Sequence, residues 1–323
     1  MSEMVCPNCR HLNRNGAKYC AACGHQLVPL PDHKDDDEPT RPGGYPVPAS
    51  ASADEEMNTT PARESFALTV GRRSDVGRKR EANEDSLLAL DFHCANRSTY
   101  RAAGLYVVAD GMGGHEGGEI ASGMLVRHLA RLAAAEWLPS AVDAAEAQLD
   151  SSAWLISAIQ RANAGIFEWA HEAGYEMGTT VVAALVAGNR ALIAHVGDSR
   201  AYRVSAAGID QLTVDHSLVE SLVLTNQISR EEARNHPQAN VIYRTVGDQP
   251  QVVVDLIDVE LAAGDRLLLC SDGLSGMLTD DVIQRICMAE VSPQAACDAL
   301  VAAANEAGGE DNCSAILIEL SSP

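Results

Sequence analysis

Leu105-Tyr106-Val107-Val108-Ala109-Asp110-Gly111-Met112-Gly113-Gly114-His115 sets a run of apolar and aromatic residues directly before an acid and a glycine-rich turn. A short apolar run bounded by turn residues reads as a buried strand. The same grammar recurs along the chain. Ala191–Val196 leads through Gly197 into Asp198, Leu267-Leu268-Leu269-Cys270-Ser271 leads into Asp272-Gly273, and Gly308-Gly309-Glu310-Asp311-Asn312 precedes the strand Ala315–Leu320. In each case the acid sits where a buried strand leaves its sheet, so carboxylates far apart in sequence can converge on one edge. The adjoining glycines permit tight turns and let backbone carbonyls approach an ion. Upstream, Arg80-Glu81-Ala82-Asn83-Glu84-Asp85 adds two adjacent acids and a cation.

One Asp-Gly is an ordinary turn. Four strand-edge acids and the Arg-x-x-Asn-Glu-Asp string form a constellation. Clustered carboxylates repel unless a positive ion lies among them, and hard oxygen ligands select Mg²⁺ or Mn²⁺.

Outward from these motifs, further strands are expected at Phe66–Val70, Ser86–Leu90, Thr180–Val186, Val252–Val259 and Arg266–Cys270. Helices are expected over Gly118–Trp137, Ser151–His171, Asp280–Met288 and Pro293–Asn305. In Ser151–His171 the residues Leu155, Ile159, Ala162, Ile166 and Trp169 recur at helical spacing and mark one buried face. Ser292 before Pro293 is an N-cap followed by proline in the first turn. Helices and strands come in blocks, which gives an α+β class of mostly antiparallel sheets with helices packed outside.

The chain has 323 residues, enough for one large domain and a small module. Residues 27–65 hold seven prolines and the run Asp35-Asp36-Asp37-Glu38, and read as a disordered linker. As a flexible coil it would reach on the order of 35 Å. Before it, residues 1–26 carry Cys6-Pro7-Asn8-Cys9 and Cys20-Ala21-Ala22-Cys23. Two such knuckles can present four thiolates tetrahedrally to one structural zinc ion, so this segment reads as a zinc ribbon. The alternatives are a disulfide pair and a redox CxxC. A reducing compartment weighs against the first, and the lack of a surrounding βαβ pattern against the second. The ribbon's role is open, with protein contact favoured.

The net charge of -21 argues against a nucleic-acid partner. No apolar run approaches the length of about 18 residues that spans a bilayer. No signal-peptide pattern precedes Cys6, so a cytoplasmic protein is expected.

From Phe66 to Leu320 the ordered set of motifs resembles the metal-dependent protein phosphatases of type 2C (the PPM family), in their bacterial form. The matching elements are Arg80–Asp85, Ala109–His115, Gly178-Thr179-Thr180, Val196–Arg200, Asp215-His216-Ser217, Cys270–Gly273 and Gly309–Asn312. The resemblance implies a sandwich of two antiparallel sheets flanked by helices on both sides, over residues 66–321. It implies hydrolysis of phosphoserine and phosphothreonine by a water activated at two, or with a weaker site three, Mn²⁺ or Mg²⁺ ions, without a phosphoenzyme. By position, Asp110 would bridge two ions, the Gly111 carbonyl would bind one, and Asp272 and Asp311 would complete the other. Glu84 and Asp85 would act through bound waters, Asp198 would help hold the third ion, and Arg80 would grip the substrate phosphate. Phosphoproteins made by a Ser/Thr kinase are the implied substrates. Met112 stands where eukaryotic members have a histidine proposed as general acid, a mark of the bacterial form. The resemblance also makes Asp215–Gly247 a flap beside the site, against an ordinary surface excursion. No cysteine is followed by five residues and an arginine, the arrangement of a thiolate phosphatase. A scaffold that keeps the fold without turnover is the rival reading, and the complete acid set speaks against it.

Overall fold

The computed structural model describes residues 4–5, 12–13, 66–96, 99–114, 117–142 and 149–321. The chain divides into two compact units, Met1–Thr60 and Pro61–Pro323. In the first, strands β1 (Met4–Val5) and β2 (Leu12–Asn13) pair antiparallel. Cys6, Cys9, Cys20 and Cys23 lie outside the described residues, as does the linker at 27–65.

The second unit contains two antiparallel sheets. Strands β3 (Ala67–Asp75), β9 (Arg200–Ser205), β10 (Gly208–Gln211), β12 (Arg266–Cys270) and β13 (Cys313–Ser321) form one, in the order β10-β9-β12-β13-β3. The other runs β11-β8-β7-β5-β4, from β4 (Asp85–Asn96), β5 (Thr99–Gly113), β7 (Val181–Ala187), β8 (Arg190–Val196) and β11 (Asp255–Glu260). A short β6 (Met177–Thr179) pairs with the far end of β5.

The run Leu105–Ala109 explains the layering. Leu105, Val107 and Ala109 point into a core shared with α1 (Gly117–Leu132) and α3 (Ser151–Ala173). Tyr106 and Val108 point the other way, into the core between the sheets, against Leu267, Leu269, Ile316 and Ile318. Period-two alternation on a strand covered on both faces produces an unbroken apolar sequence. A third core lies outside the other sheet, where α7 (Asp280–Ala289) and α8 (Pro293–Glu306) cover Leu268, Cys270 and Leu317. The result is four layers, helix on sheet on sheet on helix. The expected α+β sandwich is the one observed.

Local chemistry sets the helix ends. Asp150 caps α3 by accepting from the backbone N–H of Ser152 and Ala153, and Gly174 closes it in the left-handed region at φ 73°. Ser292 caps α8 through the N–H of Ala295, with Pro293 in the first turn. The buried face of α3 differs from expectation at one residue. Leu155, Ile159, Ala162 and Ile166 are buried, but Trp169 is 37% exposed and Ala170 takes the inward position. Beyond α1 the helix continues through a π-turn at Ala133–Trp137 into α2 (Leu138–Val142). Among the described residues no helix is long and apolar enough to cross a membrane.

Candidate active site

One end of the sandwich gathers the predicted acids. Asp85 opens β4 and lies directly opposite Asp110 in β5, and Glu84 immediately precedes it. Asp198 follows β8, Asp272 follows β12 at the start of α6 (Asp272–Ser275), and Asp311 precedes β13. Asp110 departs from the expectation that it ends its strand. β5 runs on to Gly113 by exchanging β7 for β6 as its partner, so Asp110 sits at that switch.

Residues that the motifs contained, but to which sequence reading gave no role, hold these acids in place. Thr180 donates its N–H to the Asp110 carbonyl at 2.8 Å, and its Oγ1 accepts the Asp110 N–H at 2.9 Å. That hydroxyl also meets Ser199 Oγ at 2.7 Å. Ser271 Oγ donates to Asp85 Oδ2 at 2.8 Å and accepts the Ser314 N–H. Asn312 joins three segments: its Oδ1 accepts the Glu84 N–H, while its Nδ2 donates to the carbonyls of Val76 and Ala82. Such side chains leave no trace in hydrophobic periodicity, and Ser, Thr and Asn are ordinary loop residues. The glycine at 111 has a different cause. A Cβ there would lie 2.0 Å from the Gly118 carbonyl oxygen and 2.7 Å from that of Glu84. The chain at 111 and the start of α1 therefore touch backbone to backbone.

Electrostatics distinguish this cluster from a solvated acidic face. Burial raises the Asp110 carboxyl well above the usual range, and repulsion from Asp85, Asp272 and Asp198 adds to it. Asp198 is raised chiefly by burial, then by Asp272 and Asp215, with Arg200 opposing. Asp272 is raised by burial and by Asp311. Asp85 is pushed up to about 7 by burial, against hydrogen bonds from Ser314 and Ser271. Asp85 Oδ1 and Asp272 Oδ1 are buried without a hydrogen-bond partner. Buried acceptors are normally satisfied, and buried anions are normally paired or coordinated. Oxygens without donors, set among carboxylates that repel one another, are the donor set a hard divalent cation requires. The residues therefore fit Mn²⁺ or Mg²⁺.

Arg80 stands at the rim of this set. Its Nη2 donates to Asp311 Oδ2 at 2.6 Å, and its side chain is about half exposed (49%). The hydrogen bond to Asp311 holds the guanidinium firmly charged. The remaining donors of its planar fork can reach an anion from solvent.

Residues 215–247 rise beside the site. α4 (Leu218–Leu224) and α5 (Arg230–Arg234) form the excursion, and its base is closed by the Ser217–Ile242 bridge and by Tyr243 N–H donating to the His216 carbonyl. With Asp198, Asp272 and Asp311 the excursion encloses a cavity of about 250 Å³. Its apolar stripe of Leu218, Leu222 and Val223 is only half-buried. The deeply buried residue is Glu220, which pairs with Arg230.

A second cluster brings His195, His216 and Asp255 close enough to share an ion. Its geometry serves another end. The two imidazoles stack at 4.8 Å with planes 25° apart, so their in-plane lone pairs run alongside each other instead of converging. Arg244 already supplies a cation, 2.7 Å from Asp255 Oδ1. His216 Nδ1 accepts the Gly197 N–H, which ties the base of the excursion to the turn carrying Asp198. Burial pushes His195 down to about 3, so it packs as a neutral ring.

Comparison with known proteins places this geometry. The sequence pattern of the family described as "Protein phosphatase 2C" matches residues 78–303. The serine/threonine phosphatase Stp of Listeria monocytogenes is 38% identical over 250 residues, covering 76% of this chain and 94% of its own. Among solved structures, the serine/threonine phosphatase Stp1 from Staphylococcus aureus superposes with a TM-score of 0.70 at 36% identity, over 80% of this chain and 97% of that one. The catalytic domain of the serine/threonine protein phosphatase PstP, solved in complex with two manganese ions, superposes with a TM-score of 0.65 at 34% identity, over 79% of this chain and 99% of that one. With fold, motif order and acid cluster in agreement, this chain belongs to the protein phosphatase 2C family of serine/threonine phosphatases.

Proposed function

We propose that the acid cluster hydrolyses phosphoserine and phosphothreonine in proteins at a centre of two Mn²⁺ or Mg²⁺ ions, with a third, weaker site. Asp110, Asp272, Asp311 and the Gly111 carbonyl would hold the pair, Glu84 and Asp85 would act through waters, and Asp198 would contribute to the third. The observation that carries this reading is the convergence of raised, partly unsatisfied carboxylates from four separate segments on one edge. When bound, such ions supply Lewis-acid neutralisation of the phosphate and lower the pKa of water at the site.

The chain's own residues do the rest. Arg80 binds and orients two phosphate oxygens with the donors that Asp311 does not use. Thr180 and Ser199 fix the backbone at Asp110, and Asn312 fixes that at Glu84, so the acids keep their places as charge develops. Met112 carries no proton to give, so the leaving oxygen takes its proton from water. No thiolate is available as a nucleophile in the core, because burial pushes the Cys287 and Cys297 thiols up to about 12. The excursion at 215–247 acts as the flap that frames incoming protein.

The same proposal assigns residues 1–26 as a zinc ribbon held by Cys6, Cys9, Cys20 and Cys23, used for protein contact and tethered by residues 27–65 to the catalytic domain at 66–321. The antiparallel pair Val5–Leu12 brackets the first CxxC, as a zinc knuckle requires. A cytoplasmic setting, with substrates made by a Ser/Thr kinase, is consistent with the free thiols Cys94, Cys270, Cys287, Cys297 and Cys313.

The test is turnover of p-nitrophenyl phosphate and a phosphothreonine peptide against Mn²⁺ and Mg²⁺ concentration, with Asp110→Asn and Asp272→Asn alongside. Activity that depends on the cation and disappears in both variants is expected. Wild-type rates in both variants would remove the proposal.

A further inference from the structure

We infer that the groove beside Met112 is a specificity subsite for an arginine side chain in the substrate, close in sequence to the phosphorylated residue. The inference rests on the phosphatase reading above, because it takes the phosphate to sit at Arg80 and Asp110.

The groove has a volume of about 530 Å³, within the usual range for ligand pockets. It lies between the far end of β5 (Met112, Gly113), the last turns of α3 (Phe167, His171), the link at Tyr175–Met177, and the returning limb of the flap (Ile242, Thr245, Asp248). It adjoins the site along β5. Met112 is two residues beyond Asp110 on the same extended strand, so the two backbone positions lie about 7 Å apart. A peptide whose phosphate rests at Asp110 therefore has its neighbouring residues within reach of this groove. The flap limb forms one wall, tied down by the Thr179–Val246 bridge, so the groove is built into the same frame as the site.

Its chemistry selects the occupant. Met112, Phe167, Ala170 and Tyr175 give an apolar floor, and Tyr175 is 39% exposed although it is aromatic. Glu176 and Asp248 stand exposed at the rim, and among the described residues neither has an ion-pair partner. No lysine or arginine lines the groove. An apolar floor beneath two unpaired carboxylates suits a side chain with a methylene stem and a cationic head. Arginine fits better than lysine, because its planar guanidinium can stack on Tyr175 or Phe167 while pairing with a carboxylate in two places. An acidic or small residue in that position would leave the rim carboxylates repelled or unanswered.

The experiment uses the full chain with Mn²⁺ and matched phosphothreonine peptides. A single arginine, alanine or glutamate is walked through the three positions on either side of the phosphothreonine. The quantity read is the ratio of kcat/KM for the arginine peptide to that for its alanine twin, measured within one protein preparation. Folding or metal-loading differences between variants then cancel. At one or two positions the ratio is expected to reach roughly tenfold, with glutamate below alanine, and to fall as salt rises. In Glu176→Gln/Asp248→Asn the ratio is expected to collapse to within about twofold. A flat ratio at every position, or a tenfold ratio that persists in the double variant, would overturn the subsite while p-nitrophenyl phosphate is still turned over. An enzyme inert to p-nitrophenyl phosphate would overturn the phosphatase reading, and the subsite with it.

Discussion

Removing a charge from the acid cluster should stabilise the metal-free protein, and Asp85→Asn is the cleanest case. Asp85 is only 8% exposed, has one oxygen without a partner, and keeps its other oxygen on Ser271. An asparagine carbonyl can keep the Ser271 contact. Its amide can donate toward neighbouring carboxylates that Asp85 repels. In the folded chain the Asp85 carboxyl holds its proton up to about pH 7, whereas its ordinary value is 3.8. Between those values the folded state is the better proton binder, so stability falls as pH rises through the window and levels off above it. With 1.36 kcal/mol for each tenfold, the charged form destabilises the fold by roughly 2 kcal/mol at pH 5 and about 4 kcal/mol at pH 8. Desolvating the asparagine amide takes back about 1–2 kcal/mol. The variant should therefore gain almost nothing at pH 5 and about 2–3 kcal/mol at pH 8. For a domain of this size that is about 4–12 °C in Tm. The assay is thermal unfolding of both proteins in EDTA at the two pH values, repeated with saturating Mn²⁺. The ion should raise the melting temperature of the wild type more than that of the variant. A variant that melts lower than wild type at pH 8 in EDTA, or gains equally at both pH values, would refute the reasoning.

Arg80→Ala removes two charge-assisted hydrogen bonds to phosphate worth about 1.5–3 kcal/mol each, so kcat/KM for p-nitrophenyl phosphate should drop roughly 10²- to 10⁴-fold. It also frees Asp311 from its cation, so half-maximal activation should need no more Mn²⁺ than in wild type; a higher requirement would show Arg80 supporting the metal centre instead. Gly111→Ala drives a Cβ to 2.0 Å from the Gly118 carbonyl, a clash with backbone that no rotamer relieves. We expect about 3 kcal/mol of destabilisation and a Tm lower by about 6–12 °C, read by calorimetry, with activity lost at temperatures where the variant remains folded. An unchanged Tm would mean the chain at 111 is not held as described.

The sandwich was legible because its strands are covered on both faces. Leu105–Ala109 and Leu267–Cys270 are unbroken apolar runs, and the strand holding the second, Arg266–Cys270, was placed to the residue. Strands interrupted by charged residues were harder. In β9 and β10, Arg200–Ser205 and Gly208–Gln211, charged residues such as Arg203, which pairs with Asp210, break the apolar run into the short pieces Ala201-Tyr202 and Val204. β4 was expected to stop at Leu90 but runs on to Asn96, because pairing with β5 supports Asp91 and His93 in extended backbone that their side chains alone do not favour. Trp169 was placed inward by its spacing, yet Ala170 fills that position and leaves the indole to pack on Tyr175 at the surface. Asp110, Asp198, Asp272 and Asp311 were legible from the strand-edge grammar, and Glu84 and Asp85 from the Arg-x-x-Asn-Glu-Asp string. Their supports, Thr180, Ser271 and Asn312, were not, because a hydroxyl or amide that bridges segments more than 40 residues apart has no local pattern. The Met112 groove was invisible for the same reason, being assembled from a strand, a helix end and a returning loop.

The central claim is that acids from separate strands converge on divalent cations, and counting those cations tests it most directly. Metal-free chain is titrated with Mn²⁺ and the free ion is read by electron paramagnetic resonance, for wild type and for Asp110→Asn. At least two Mn²⁺ per chain are expected on the wild type, with the tight pair lost from the variant while its far-ultraviolet circular dichroism is unchanged. A folded Asp110→Asn protein that binds as many ions, as tightly, as the wild type would contradict the account.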